Sequence, residues 1–243
     1  MASRGPRQNT ACWRAFVLVV VGSALLAACA VPAPQAPQRP EQLPAGFPAA
    51  FYEQSAARGR PVFSIDSEIS LVVIEARRAG SLAQLGHDHA IASHSVRGYV
   101  APNDGRADFY LRLDELVVDE AELRAQAGFT SEPTAAAVAG TRANMLAQFH
   151  AEEHPFAVIA VQGVETDAAG TWLDASVAVN AVTQRVRIPA QIEQGAERLT
   201  ATGQVTLEQT RFGIVPLAIL NGAIQVQDQV NVRFLIHAHR MPS

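Results

Sequence analysis

"AIQVQDQVNVRFLIHA", residues 223–238, alternates apolar and polar side chains along almost its whole length. Ile224, Val226, Val230, Val232, Phe234, Ile236 and Ala238 fall on one face, and Gln225, Gln227, Gln229, Asn231, Arg233 and His237 on the other. A period of two is the side-chain repeat of a strand with one face on a core and one in water. A run this long predicts a strand that wraps a curved antiparallel sheet. Asp228 and Leu235 break the alternation. A buried, unpaired carboxylate is costly, so Asp228 is expected near a barrel end or beside an arginine.

The same period recurs upstream. Leu199, Ala201, Val205 and Leu207 alternate with polar residues, as do Val186, Ile188, Ala190 and Ile192, then Leu173, Ala175, Val177 and Val179, then Phe109, Leu111 and Leu113. Two apolar runs, Ile69–Ile74 and Phe156–Val161, read as strands buried on both faces, and Val96–Val100 adds another. About eight strands result, the number at which a closed barrel just accommodates one small ligand. Many inward positions are small, among them Ala175, Ala190, Ala201 and Gly203, so the side chains alone do not fill such a barrel. An apolar space left open is poorly hydrated and favours an apolar guest. Residues 119–127 and 133–150 lack the period and are rich in Ala, Glu, Gln and Leu, which predicts one or two inserted helices, with Pro133 suiting a helix start. The expected fold class is therefore all-β dominated: an antiparallel barrel of about eight strands with one or two inserted helices.

Chemistry-bearing residues concentrate in "QLGHDHAIASH", residues 84–94, with three of the seven histidines. In an extended segment His87 and His89 share a face and His94 has the opposite parity. A zinc site normally needs three or four protein ligands, so His87, His89 and His94 form a metal set only if a turn or bulge intervenes. His150-Ala-Glu-Glu-His154 matches a zinc-peptidase spacing, but that chemistry needs both histidines on one helix, and Pro155 pushes His154 off helical geometry. His237 and His239 sit on the polar face of the last strand. No Gly-x-Ser-x-Gly elbow, phosphate loop or dinucleotide fingerprint occurs, and the chain reads as a binding protein rather than an enzyme.

The amino-terminal end carries a different kind of information. Arg4, Arg7 and Arg14 precede the apolar run 15–28, which is short for a membrane span and has the proportions of a secretory signal. It ends in Leu26-Ala27-Ala28-Cys29, which resembles the lipobox of bacterial lipoproteins. The resemblance implies cleavage before Cys29, a lipidated cysteine as mature N-terminus, and, with Ala30 following, sorting to the outer membrane, facing the periplasm. Two or more acyl chains anchor a protein without a spanning helix. Residues 29–60 read as the lipidated terminus and a linker; 31–48 hold six prolines and suit a semi-rigid spacer. Residues 61–241 are left for the barrel. Loss of residues 1–28 removes three arginines and no acid, which takes the formal charge from −4 to −7. So acidic a chain does not suit nucleic acid or an anionic lipid surface. Cys12 goes with the signal and Cys29 with the lipid, so the folded part has no thiol chemistry.

Several stretches together resemble the YceI-like family of periplasmic polyisoprenoid-binding proteins: "FSIDSEIS" (63–70), "LGHDHAIASHSVRGYV" (85–100), "GTRANMLAQFHAEEHPFAVI" (140–159), "NAVTQRVRIPAQI" (180–192), "LEQTRFGI" (207–214) and "LNGAIQVQDQVNVRF" (220–234). Ile69, Ala181 and Gln209 depart from the family's usual His, Gly and Arg. The resemblance implies a lipocalin-like barrel whose tunnel takes a long isoprenoid chain such as a quinone tail, with no cofactor. On this reading Phe109, Leu111, Val177, Val179, Val230, Val232 and Phe234 line the tunnel. His87, His89, Arg142 and Asn144 stand at its mouth, where an imidazole could meet a quinone carbonyl. The rival is a metal-binding or redox accessory module built on the histidines; a third reading is an empty scaffold barrel. A homodimer is left open.

Overall fold

The computed structural model describes residues 42–242. The signal-like run, Cys29 and most of the proline-rich stretch lie outside the described residues. The strands are β1 (Phe63–Ile65), β2 (Leu71–Ala79), β3 (His89–Ser93), β4 (Arg97–Ala101), β5 (Arg106–Arg112), β6 (Val117–Val118), β7 (Phe156–Asp167), β8 (Gly170–Val179), β9 (Val182–Gln194), β10 (Arg198–Glu208), β11 (Ala218–Ile219) and β12 (Ile224–Arg240). Among the described residues three α-helices join them: α1 (Ala49–Ala57), α2 (Ala121–Gln126) and α3 (Ala135–Gln148).

The long alternating stretch becomes the 17-residue strand β12, and the barrel closes on it. One edge of β12 pairs with β10 from Arg198↔His239 to Glu208↔Gln229. The other edge is used twice: residues 225–235 take β2, and residues 238–240 take β1. From β1 the ring runs through β4, β5, β7, β8, β9 and β10 back to β12, giving a closed eight-stranded antiparallel barrel. β3 and β6 continue outward from β2 as a flap of the same sheet. Closure pairs the eight ring strands with one another and leaves β6 as the outer edge of the flap.

Register follows the hydrophobic rows, because a one-residue slip would turn every apolar side chain outward. Leu173 and Val177 on β8, Ile188 on β9, Ala201 and Val205 on β10, and Val232, Phe234 and Ile236 on β12 all face inward. At Gly203, directly across from Phe234, a Cβ would collide with the Phe234 ring, so the ring occupies the space the missing side chain leaves. Gly98 lies opposite Phe109 with φ 153°, where a Cβ would lie 2.3 Å from the Asp108 carbonyl oxygen; only glycine lets β4 and β5 approach this closely.

β2 is buried on both faces for a visible reason. Its outer face packs Val73 with Ala90, Ala92, Leu123 and Phe129, a second core beneath α2, while Val72 faces the barrel core. The strand begins at Leu71, and Ile69 is exposed in the preceding turn, so the apolar run at 69–74 is only partly strand. The inserted helices lie inside the stretches expected to hold them. α3 starts two residues after Pro133: Thr134 is the cap, and its hydroxyl accepts from the Ala137 amide at 3.2 Å.

The compact unit that contains the barrel begins at Leu43. α1, in the stretch read as linker, docks through Tyr52, whose ring is fully buried and stacks on Tyr99 at 5.2 Å. The Tyr52 hydroxyl donates to Asp108 at 2.6 Å, and Arg106 donates to the same carboxylate oxygen at 2.6 Å. Burial first, and the Asp108 contact second, push the Tyr52 hydroxyl far above its ordinary range, so it remains a donor. Phe47 adds an edge-on contact to Tyr110, with ring centroids 5.0 Å apart. Among the described residues no helix is long and apolar enough to cross a membrane.

Candidate functional site

The barrel is hollow. A cavity of about 440 Å³ runs between the strands, lined almost wholly by apolar side chains. A second chamber of about 150 Å³ lies towards α3. The two share Ile74, Phe149, Val177, Val179, Leu207 and Val232 in their walls, so they are adjoining compartments inside the barrel. Phe109, Leu111, Val177, Val179, Val232 and Phe234 line the larger chamber, and Val230 lines the smaller, together with Val177, Val179 and Val232.

The two ends differ. At the end formed by the β4–β5, β7–β8 and β9–β10 turns, the wall carries Arg106, Thr166, Thr171 and Gln194, with Val164 and Ile192 exposed beside them. Arg106 is occupied by Asp108 and lies over the Phe51 ring at 4.6 Å. At the α3 end, the loop 213–223 carries no charged residue and exposes Val215, Leu217, Ile219 and Leu220; Leu217 also lines the smaller chamber.

The histidine cluster is taken apart by the structure. His89 opens β3 and lines the smaller chamber. Its Nδ1 is 2.6 Å from Asp119 Oδ2, and the Asp119 side chain is completely buried. Asp119 follows β6 with φ 62°, a left-handed conformation that aspartate tolerates. Its other oxygen accepts from the Ala90 amide at 3.0 Å and from Arg124 at 2.6 Å. Burial alone would raise the Asp119 carboxyl; the bonds from His89 and Arg124 together outweigh it and hold the group below the usual carboxylate range. An ionised carboxylate only accepts, so Nδ1 of His89 bears the proton and Nε2 is turned to the Thr141 hydroxyl, 3.4 Å away.

The other histidines do different things. His87 precedes β3, its ring 6.3 Å from that of His89, and its buried Nδ1 has no partner. His94 is exposed and bonds Glu120 at 2.8 Å. Neither lines a chamber, and among the described residues no group of three or more metal-binding side chains converges. His150 has φ 47° in the turn beyond α3, so the 150–154 motif is not helical. His239 pairs with Asp66 at 2.9 Å, and His237 meets the Thr200 hydroxyl at 3.2 Å.

On α3, Thr141, Asn144, Met145 and Gln148 face the smaller chamber, at the three- and four-residue spacing of one helix face. Arg142 lines neither chamber and donates to the Asp114 carbonyl. Asp228 is tied to Thr210, through the amide at 2.8 Å and the hydroxyl at 2.7 Å, and these bonds lower its pKa; its partner is a threonine and not an arginine. It lies at the irregularity between Val226 and Val230 where the β2 pairing shifts register. Asp119, Arg124 and Thr141 were not singled out from sequence, since 30 residues separate His89 from Asp119 and 52 separate it from Thr141.

The family described as YceI-like domain matches residues 73–238. A polyisoprenoid binding domain from Saccharophagus degradans, implicated in plant cell wall breakdown, superposes with a TM-score of 0.50 at 11% identity, over 74% of this chain and 98% of that one. BcnA of Burkholderia cenocepacia gives 0.49 at 14% identity, over 71% and 98% of the two chains. The YCEI protein of Campylobacter jejuni gives 0.41 at 13% identity, over 60% and 81%. No curated protein matches the chain.

Proposed function

We propose that this chain, which belongs to the YceI-like domain family, binds a polyisoprenoid lipid along its tunnel and stores or carries it without chemically changing it. The observation that carries this reading is the apolar cavity of about 440 Å³ inside a closed barrel. Space of this kind is poorly hydrated, and volumes of roughly 300–1,000 Å³ are those of small-ligand sites. Each buried methylene contributes about 0.8 kcal/mol, so a few isoprene units give substantial gross binding even after the costs of association. The S. degradans neighbour, a polyisoprenoid binding domain by its description, supports the ligand class. A lipid leaving a bilayer needs an apolar path into the protein, and the uncharged loop 213–223 beside the smaller chamber offers one.

The site for the chain itself we place in the cell envelope, held through lipid on Cys29 at the outer membrane and facing the periplasm. Supporting this are the apolar run 15–28 and the small residues before the cysteine. The test of binding is organic extraction of the purified full-length protein followed by mass spectrometry of the extract. A prenyl lipid near one per chain is expected; an extract with no lipid beyond detergent and bulk phospholipid contradicts the proposal.

A further inference from the structure

The end of the barrel beside the smaller chamber has a surface unlike the rest of the molecule. Of the ten large apolar side chains exposed among the described residues, five stand here: Leu85, Val215, Leu217, Ile219 and Leu220. The backbone fixes four of them on one projection. β11 pairs with the start of β12, the Val226 amide donates to the Leu217 carbonyl at 2.9 Å, and Asp228 holds Thr210 at the base, so residues 210–228 are braced at several points. Leu220 at the turn takes a φ of 51°, a conformation unfavourable to leucine, and is 66% exposed; Val215 is 76% exposed. The short 3-10 turn 83–85 lies against this projection, with the Leu82 amide donating to the Ala223 carbonyl at 2.7 Å, and contributes Leu85. Charge is nearly absent. Residues 79–86 hold none, and residues 209–227 hold a single ionisable side chain, the exposed Arg211. A clustered apolar patch of this kind marks an interaction surface rather than ordinary surface scatter.

We propose that this projection inserts into the interface of a lipid bilayer, so that a lipid passes between the bilayer and the smaller chamber without crossing water. This rests on the tail-binding and anchoring readings above and adds the surface that does the loading. Three features select a bilayer over a second copy of the chain. Leu217 belongs both to the exposed patch and to the chamber wall, so an apolar path joins the two. Arg211, beside the patch, has a stem long enough to lie along apolar surface while its guanidinium meets lipid phosphate. Only fourteen residues, 29–42, separate Cys29 from the compact unit, and fully extended they span at most about 50 Å, so the anchored barrel stays within reach of a bilayer surface. Exposed Glu152 and Glu153, in the turn after α3, oppose a general attraction to anionic lipid, so apolar burial and not charge drives the docking. Docking of this kind is reversible and does not replace the anchor.

The experiment uses the full chain with both native cysteines replaced, Cys12→Ser and Cys29→Ser, and a single environment-sensitive fluorophore attached through Leu220→Cys or, as control, Ile69→Cys. Ile69 is also exposed but precedes β2, whose first residue Leu71 pairs with Leu235, far along β12 from the projection. Phosphatidylcholine vesicles carry a quencher on the lipid acyl chains. The label at 220 is expected to shift to the blue and be quenched, and the label at 69 to do neither. Val215→Ser should weaken insertion of the 220 label by about 10-fold. Raising salt from about 0.1 M to about 0.5 M should change it by less than ~2-fold, because screening acts on charges. Val215 lines neither chamber, so the same variant should slow uptake of a prenyl quinone from vesicles while leaving the equilibrium affinity unchanged. A 220 label as wet with vesicles as without them, or equal quenching at 69 and 220, overturns the proposal. A blue shift that needs no vesicles and grows with protein concentration assigns the patch to a second copy and overturns it too. None of these outcomes touches the tail reading, which the prenyl lipid in the organic extract measures separately.

Discussion

Ala201→Phe places a ring in the larger chamber and tests whether that space is where a tail lies. Ala201 lines the cavity and is flanked by Ile192 on β9 and Ile236 on β12. The added ring displaces about one isoprene unit, five carbons, from the tunnel. At about 0.8 kcal/mol per buried carbon the gross loss is ~4 kcal/mol. At the ~0.3 kcal/mol per atom that larger ligands retain, it is ~1.5 kcal/mol. The affinity for a long-chain prenyl quinone should therefore fall between about 10-fold and about 1,000-fold. The ring enters vacant volume, so the thermal midpoint should hold within a few degrees, unlike overpacking of a filled core, which costs about 1–3 kcal/mol. Equilibrium titration of the delipidated protein with circular dichroism melts reads both quantities. A folded Ala201→Phe protein that binds the quinone as well as the parent would refute the placement of the tail.

Asp119→Ala leaves Arg124 and His89 without their shared partner and should cost about 3 kcal/mol or somewhat more, towards the lower end of a broken buried pair because Arg124 keeps its bond to Ser131; urea unfolding measures it. Because Asp119 is held below its unfolded value, its contribution is present above about pH 4 and is lost as pH falls through the folded value; Asp119→Asn should flatten the acid limb of the stability–pH curve, and an unchanged limb would contradict the linkage. Tyr52→Phe removes the donor that ties α1 to Asp108 and should lower stability by about 1 kcal/mol, with faster amide exchange in residues 49–57 as the local sign. Cys29→Ser should shift the full chain from the membrane fraction to the soluble fraction of the envelope, and retention in the membrane would count against the lipid anchor.

The barrel could be read in the sequence because period-two alternation is a local signal, repeated in β5, β8, β9, β10 and β12, and each row needs only its own residues to declare its face. The tunnel wall followed, since inward parity at Phe109, Val177 or Phe234 is the same fact as lining the cavity. α1 was hidden: its nine residues, AAFYEQSAA, show no apolar stripe, and Tyr52 finds Asp108 across 56 residues of chain. The polar site was hidden for the same reason. Within the histidine-rich stretch the neighbour of His89 is Asp88, but the carboxylate that holds the ring comes from Asp119, delivered by pairing of β3 with β6. Arg142 carries the most conspicuous charge on α3, yet the helix turns Thr141, Asn144 and Gln148 to the chamber instead.

Photoaffinity labelling probes the occupied tunnel most directly. Full-length protein is loaded with a prenyl probe carrying a diazirine near the tail end, irradiated, digested and sequenced by mass spectrometry. Labels should fall on inward positions of β8, β10 and β12, such as Val177, Val205 and Val232, and unlabelled prenyl quinone should suppress them. Labels confined to exposed residues such as Val215 and Leu220, insensitive to competitor, would contradict the account.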